Sequence, residues 1–146
     1  MTASLFDLGL AVKRLQAAHH RAANERLGPL GLTIVQWDAL RHLHENPDAS
    51  LHRLATLTFQ TDQAFGTLAG RMIDRGLIER LDGPGRAVRH RLTSRGDDLR
   101  QRGGDILAGV LAESFAPLSA TERETMGELL AKLVDPSPVT ASHRAS

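Results

Sequence analysis

The 146-residue chain has no cysteine and no tyrosine, one tryptophan and four phenylalanines. Without cysteine there is no disulfide, no thiolate ligand for a metal and no thiol-oxidation switch. That suits a reducing compartment, and the cytoplasm is the expectation. No apolar run approaches the roughly 20 residues a membrane-spanning helix needs. The start, MTASLFDLGL, has no basic segment leading into an apolar one, so neither a membrane span nor export is expected. A large net charge is missing too: 18 Lys and Arg face 17 Asp and Glu. Enzyme signatures are also lacking. Gly66 to Gly70 has neither the Lys-Ser/Thr sequel nor the preceding strand of a phosphate loop. No nucleophile stands with a partner base, so no enzyme and no cofactor are expected. Seven histidines raise the question of a metal, but His19 and His20 are adjacent and His42 and His44 two apart. Both pairs diverge on a helix, and no metal site is expected.

What the chain does have is uneven charge. From Arg71 to Arg102 nine arginines face five acids, while from Gly103 to Asp135 six acids face Arg123 and Lys132. A basic middle beside an acidic C-terminal part suits a DNA reader with a separate dimerising region; the plainer alternative is a solvated charged surface.

Most of the basic stretch lies within Ser50 to Thr93, around which the rest is organised. His52 to Thr58 reads as a short helix with Leu54 and Leu57 inward, and Ser50 as its N-cap. Thr61 to Arg75 reads as a second helix. Phe65, Leu68, Ala69, Met72 and Ile73 share its apolar face at the three-and-four spacing. Gly76 stands where a helix ends in the left-handed conformation. Leu77 to Arg80 and Val88 to Leu92 alternate as an antiparallel pair around Asp82-Gly83-Pro84-Gly85. Helix-turn-helix followed by a hairpin is a winged helix, which sets one helix in the DNA major groove while the hairpin follows the backbone.

The flanks are helical. Leu5 to Leu27 carries an apolar stripe of Leu5, Leu8, Val12, Leu15, Ala18 and Ala22, long enough to need another element or another chain as cover. Thr33 to Glu45 begins with the capping-box spacing of Thr33 and Gln36, and Ile34, Trp37, Leu40 and Leu43 point inward. A long helix opens at Thr93-Ser94, and Gly103-Gly104 is expected to interrupt it. Ser119 and Glu122 form a second capping box, starting a last helix with Met126, Leu129, Leu130 and Leu133 inside. Pro136 to Ser146 has no period and little to bury, and reads as a disordered tail.

The outward face of Thr61 to Arg75 carries Gln63, Gly66, Thr67, Gly70 and Arg71. Gln can bond adenine bidentately, Thr can reach a base or phosphate, and Arg a guanine or phosphate. Thr61, as N-cap, leaves free backbone donors beside it for a phosphate. Arg89 and Arg91 share one strand face, and at least one is expected on phosphate.

The ordered series Gly31-Leu32-Thr33, Gln36-Trp37, Leu40, Leu54-Ala55, Arg71-Met72-Ile73, Gly76-Leu77-Ile78, Arg80, Arg86-Ala87, Leu92-Thr93 and Gly96 resembles the MarR family of bacterial transcriptional regulators. The resemblance covers roughly Leu5 to Val134. It implies a mainly α chain with a small β-hairpin wing. One domain over 1–135 would hold a winged helix-turn-helix at 33–93 and dimerisation helices at 5–27 and 94–134. It further implies a homodimer on a pseudo-palindromic double-stranded operator, a repressor released by a small, often aromatic effector. Arg86 matches the wing arginine that enters the minor groove, but Pro84 stands where the family's bracing Asp should be. The position of Thr67 often carries Arg in the family. The effector site, between the long helices and the reading unit, would be lined by His20, Trp37, Arg41 and His44, although core packing is the stronger reading for Trp37. A different class of function stays open: a winged-helix protein-interaction module, or a DNA binder without sequence preference or ligand response.

Overall fold

The Ser4 hydroxyl accepts a hydrogen bond from the Asp7 backbone N–H at 3.0 Å, and helix α1 (Leu5–Leu27) starts there. In this computed structural model, residues 2–81 and 88–135 are described. A 3₁₀ turn, Gly28–Leu30, ends α1. Asn24 Oδ1 then receives the Ile34 N–H at 2.7 Å, joining α1 to the start of α2 (Ile34–Glu45). The expected box at α2 forms in both directions. Thr33 Oγ1 accepts from the Gln36 N–H, and Gln36 Oε1 accepts from the Thr33 N–H, each at 3.1 Å.

Ser50 caps α3 (Leu51–Leu57), and Thr61 caps α4 (Asp62–Asp74). Each helix lies within a residue of its expected bounds. Beyond the C-cap Arg75, Gly76 has φ +72°, the left-handed conformation expected of it. The chain turns there into β1 (Ile78–Leu81), which pairs antiparallel with β2 (Arg89–Leu92), Glu79 opposite Arg91 and Arg80 opposite His90. Leu77, expected to open the strand, instead spans the turn. Its N–H donates to Met72 O and its carbonyl accepts from the Thr93 N–H. Thr93 Oγ1 receives the Gly96 N–H at 3.1 Å and so caps α5 (Ser94–Phe115).

These elements meet in one apolar core. Leu27, Leu40, Leu54, Phe65, Met72 and Leu77 are its largest fully buried side chains, each stabilising by about 1.5–3 kcal/mol. The expected face of α4 is confirmed at Phe65, Ala69 and Met72, but Ile73 is exposed. α5 is not interrupted at Gly103-Gly104. Gly103 is buried, and a β-carbon there would lie 2.6 Å from Trp37 Cδ1. The glycine admits the indole, and Trp37 Nε1 donates to Arg100 O at 2.9 Å.

The chain divides into two units, residues 1–110 and 111–146. In the second, Ser119 and Glu122 form the expected capping box of α6 (Ala120–Val134). α6 buries none of its residues, and Leu129, Leu130 and Leu133, expected inside, are exposed. Their partner is therefore not supplied within the described chain. No helix among the described residues is long and apolar enough to cross a membrane.

Candidate nucleic-acid interface and ligand cavity

The surface of α4 follows from its period. With Phe65, Ala69 and Met72 inward, Gln63, Thr67 and Arg71 are turned out and exposed. Gly66 and Gly70 lie between them; a β-carbon at Gly70 would meet nothing within 4 Å. The face is thus shallow at its centre and polar around it, as close approach to a groove floor requires. Thr61 Oγ1 accepts from the Ala64 N–H at 3.1 Å, which fixes the cap. Thr67 Oγ1 donates to Gln63 O at 3.1 Å. Arg75, just beyond, is turned away and donates through Nη1 to Gly31 O at 2.6 Å. At the other end, His52 Nδ1 lies 2.9 Å from Asp62 Oδ1 and ties α3 to the first residue of α4.

The wing is less free than a row of arginines suggests. Arg91 Nε donates to Glu79, its cross-strand partner. Arg89 is half-buried, its Nε enclosed without a hydrogen-bond partner among the described residues. His90, between them, is 3% exposed, and its Nδ1 also has no partner among the described residues. Burial holds its pKa below the ordinary imidazole value, and the Arg80 charge across the hairpin adds to the effect. Arg80 itself is exposed. Arg86 and Pro84 lie outside the described residues.

Of the four side chains expected at a ligand, the structure brings two together. His20 of α1 and Arg41 of α2 line one cavity of about 700 Å³, together with Gln16, Asp38, His42 and the turn Leu57 to Gln60. Arg41 is held by Asp38, with Nε and Nη2 donating to Oδ1 at 3.3 and 3.1 Å. Glu45 lies 3.6 Å from its Nη1. Trp37 packs against the core beneath, with the Arg41 guanidinium 5.7 Å from its ring centroid. His44 points to α5, 3.7 Å from Asp97. Sequence reasoning missed Asp38, His42 and the α3–α4 turn. The i, i+3 spacing of Asp38 and Arg41 was the available signal; the turn's part is tertiary. Among the described residues no three His, Cys, Asp or Glu side chains group as metal ligands.

A capped recognition helix with a polar outer face, beside a two-stranded wing, defines a winged helix-turn-helix chain of the transcription-regulator class. Residues 30–87 match the model of the MarR family. The chain is 30% identical over 128 residues to the HTH-type transcriptional repressor Rv2887 of Mycobacterium tuberculosis, covering 86% of this chain and 92% of that one. It belongs to the MarR family, whose members here are regulators and not enzymes. Two structures of the M. tuberculosis protein are similar over most of their length. Its complex with DNA has a TM-score of 0.76 at 29% identity, covering 92% of this chain and 100% of that one. Its complex with salicylic acid has a TM-score of 0.72 at 30% identity, covering 90% and 97%.

Proposed function

We propose that this chain is a cytoplasmic, homodimeric, sequence-specific repressor that a small aromatic acid releases from its operator. The carrying observation is the outer face of α4: Gln63, Thr67 and Arg71 project around the open surface at Gly70. In the major groove these side chains offer a bidentate amide, a hydroxyl and a guanidinium to base edges and phosphates. Thr61 positions the helix N-terminus, whose free N–H groups suit a phosphate. Arg89, Arg91 and Arg86 of the wing serve the backbone and minor groove, Arg91 by exchanging Glu79 for phosphate. The DNA complex of the M. tuberculosis relative supports this reading.

Its salicylic acid complex supports the effector half. In this chain the cavity of His20 and Arg41 is the effector site, where Arg41 meets a carboxylate and Asp38 accepts from a ring hydroxyl. Trp37 backs Arg41 from the core, and His44 belongs to the α2–α5 contact instead. Residues 5–27 and 94–134 supply the dimerisation helices of a single functional domain.

The test is binding to a labelled fragment of the gene's own upstream region against random DNA, at two salt concentrations. Preference for its own region, with log affinity falling by about 0.9 per log salt for each phosphate neutralised, is expected. Equal, weak binding to both would instead favour a protein-interaction module. The Glu79–Arg91 pair, which already occupies one wing arginine, is the observation on that side.

A further inference from the structure

Phe59 occupies the α3–α4 turn at φ +57° and is 97% exposed. Each feature is unfavourable by itself. A β-carbon strains the left-handed backbone, and a phenyl ring in water gains nothing from burial. The turn needs neither, since glycine would make it without strain. The ring stands at the rim of the cavity that His20 and Arg41 line, two residues before the N-cap of α4.

We propose that Phe59 is the ligand-reading residue of this regulator: its ring closes over a planar aromatic acid held at Arg41, and its movement carries occupancy to the recognition helix. The proposal rests on the reading of this cavity as the effector site. A monocyclic acid with a hydroxyl or amine fits the polar groups present. Its carboxylate takes the Arg41 guanidinium from Asp38, and its hydroxyl or amine donates to the freed Asp38 carboxylate. One face of its ring is then left outward, and Phe59 is the one phenyl ring among the described residues of the cavity lining to stack on it.

The turn is built to transmit such a movement. Thr58 Oγ1 donates to Leu54 O at 2.7 Å, Gln60 Nε2 to Thr58 Oγ1 at 3.2 Å, and the Gln60 N–H to Ala55 O at 2.8 Å. These bonds fix the residues on either side of Phe59, so a change in its strained dihedrals displaces Gln60 and Thr61 rather than dissipating. Thr61 caps α4 and Gln63 lies on its outer face, so the displacement falls where DNA would be met. A ligand shifts the turn only by as much as it prefers one turn conformation over the other, and stacking on Phe59 supplies that preference.

The experiment measures DNA affinity with and without saturating salicylate, and salicylate affinity by calorimetry, for the full chain and for F59G, F59W and R41Q. F59G keeps the turn without strain, and F59W keeps an aromatic ring. The expected result is a salicylate Kd raised by about tenfold in F59G, with its release of DNA lost and F59W restoring both. F59G releasing DNA like the unaltered chain, while R41Q does not, would overturn the role of Phe59 and leave the cavity reading intact. If salicylate fails to release the unaltered chain, or if R41Q and F59G both respond normally, the cavity reading falls and takes the proposal with it. A changed sedimentation coefficient for F59G without salicylate would assign the ring to a subunit contact and overturn the proposal.

Discussion

At Gly96, α5 passes so close to the turn between α4 and β1 that a β-carbon would lie 1.9 Å from the Leu77 carbonyl oxygen. The obstacle is backbone, so it cannot turn aside. G96A is expected to destabilise by about 3 kcal/mol, the upper range for overpacking. Gly104 is the control: a β-carbon there makes only ordinary contact, 3.8 Å from Trp37 Cζ2. G104A removes a helix-interior glycine and is expected to stabilise by up to about 1 kcal/mol. Urea unfolding of both variants checks the pair, and equal effects would sink the distinction. The same contrast explains a misreading from sequence. Gly103-Gly104 looks like a break because helix propensity is local, whereas the reason for Gly103 is an indole from α2. DNA contacts divide in a similar way. Arg71 projects outward from α4 and in the proposed complex meets base edges, so R71A is expected to cost about 1–3 kcal/mol and relax sequence preference. Arg91 must leave Glu79 to reach a phosphate. R91A should therefore weaken binding evenly across sequences and reduce the salt slope by about 1. Anisotropy titrations on operator and random DNA at two salt concentrations separate the two patterns.

Among the elements, the capped helices were the most legible in the sequence. Thr33, Ser50, Thr61 and Ser119 all cap as their spacing indicates, because a cap is made by residues three apart and needs no tertiary partner. The proposed effector cavity was legible only at His20 and Arg41, because its third wall is a turn that helical periodicity does not reach. In the wing, alternation located both strands but did not reveal that His90 is shut inside with Arg80 opposite it. That burial gives the wing a pH dependence whose sign is fixed. Folded His90 is held neutral with a lowered pKa, by burial first and Arg80 second. As pH falls below about 7, the unfolded chain protonates this residue near its ordinary value while the folded chain resists, so the unfolded state gains. The stability associated with His90 is complete above that value and declines as the pH falls below it. H90Q removes the titration. Its unfolding free energy should fall less on acidification through the ordinary imidazole range than that of the unaltered chain. Parallel pH profiles would show that His90 takes up protons equally in both states.

At the scale of the molecule, the apolar surface of a single copy is what stands out of balance. Along α1, Leu5 is 85%, Phe6 91% and Val12 56% exposed; along α6, Leu133 is 75% and Val134 80% exposed. Single exposed apolar residues are ordinary, but contiguous stripes on long helices mark interaction surfaces. They explain why periodicity assigned Leu129 and Leu133 to an interior that the described residues of one chain do not provide. In the proposed homodimer a second copy supplies it: each such side chain contributes about 1.5–3 kcal/mol on full burial, enough in sum to offset the loss of freedom on association, which amounts to roughly 4–15 kcal/mol. Dimerisation also bears on operator binding. Two α4 helices fixed about one DNA turn apart make the second half-site contact intramolecular, which raises affinity by roughly 10²–10⁴ over a single reading head. The double variant L129E/L133E places two acids on the α6 stripe without touching the buried core. It should sediment as a monomer at about ten micromolar, where the unaltered chain is a dimer, keep its helical circular dichroism, and lose at least about a hundredfold in operator affinity. Binding to random DNA, which one reading head suffices to make, should fall much less. If the unaltered chain sediments as a monomer, or if the variant becomes monomeric and still holds the operator as tightly, then the two heads do not act together and α6 has another use.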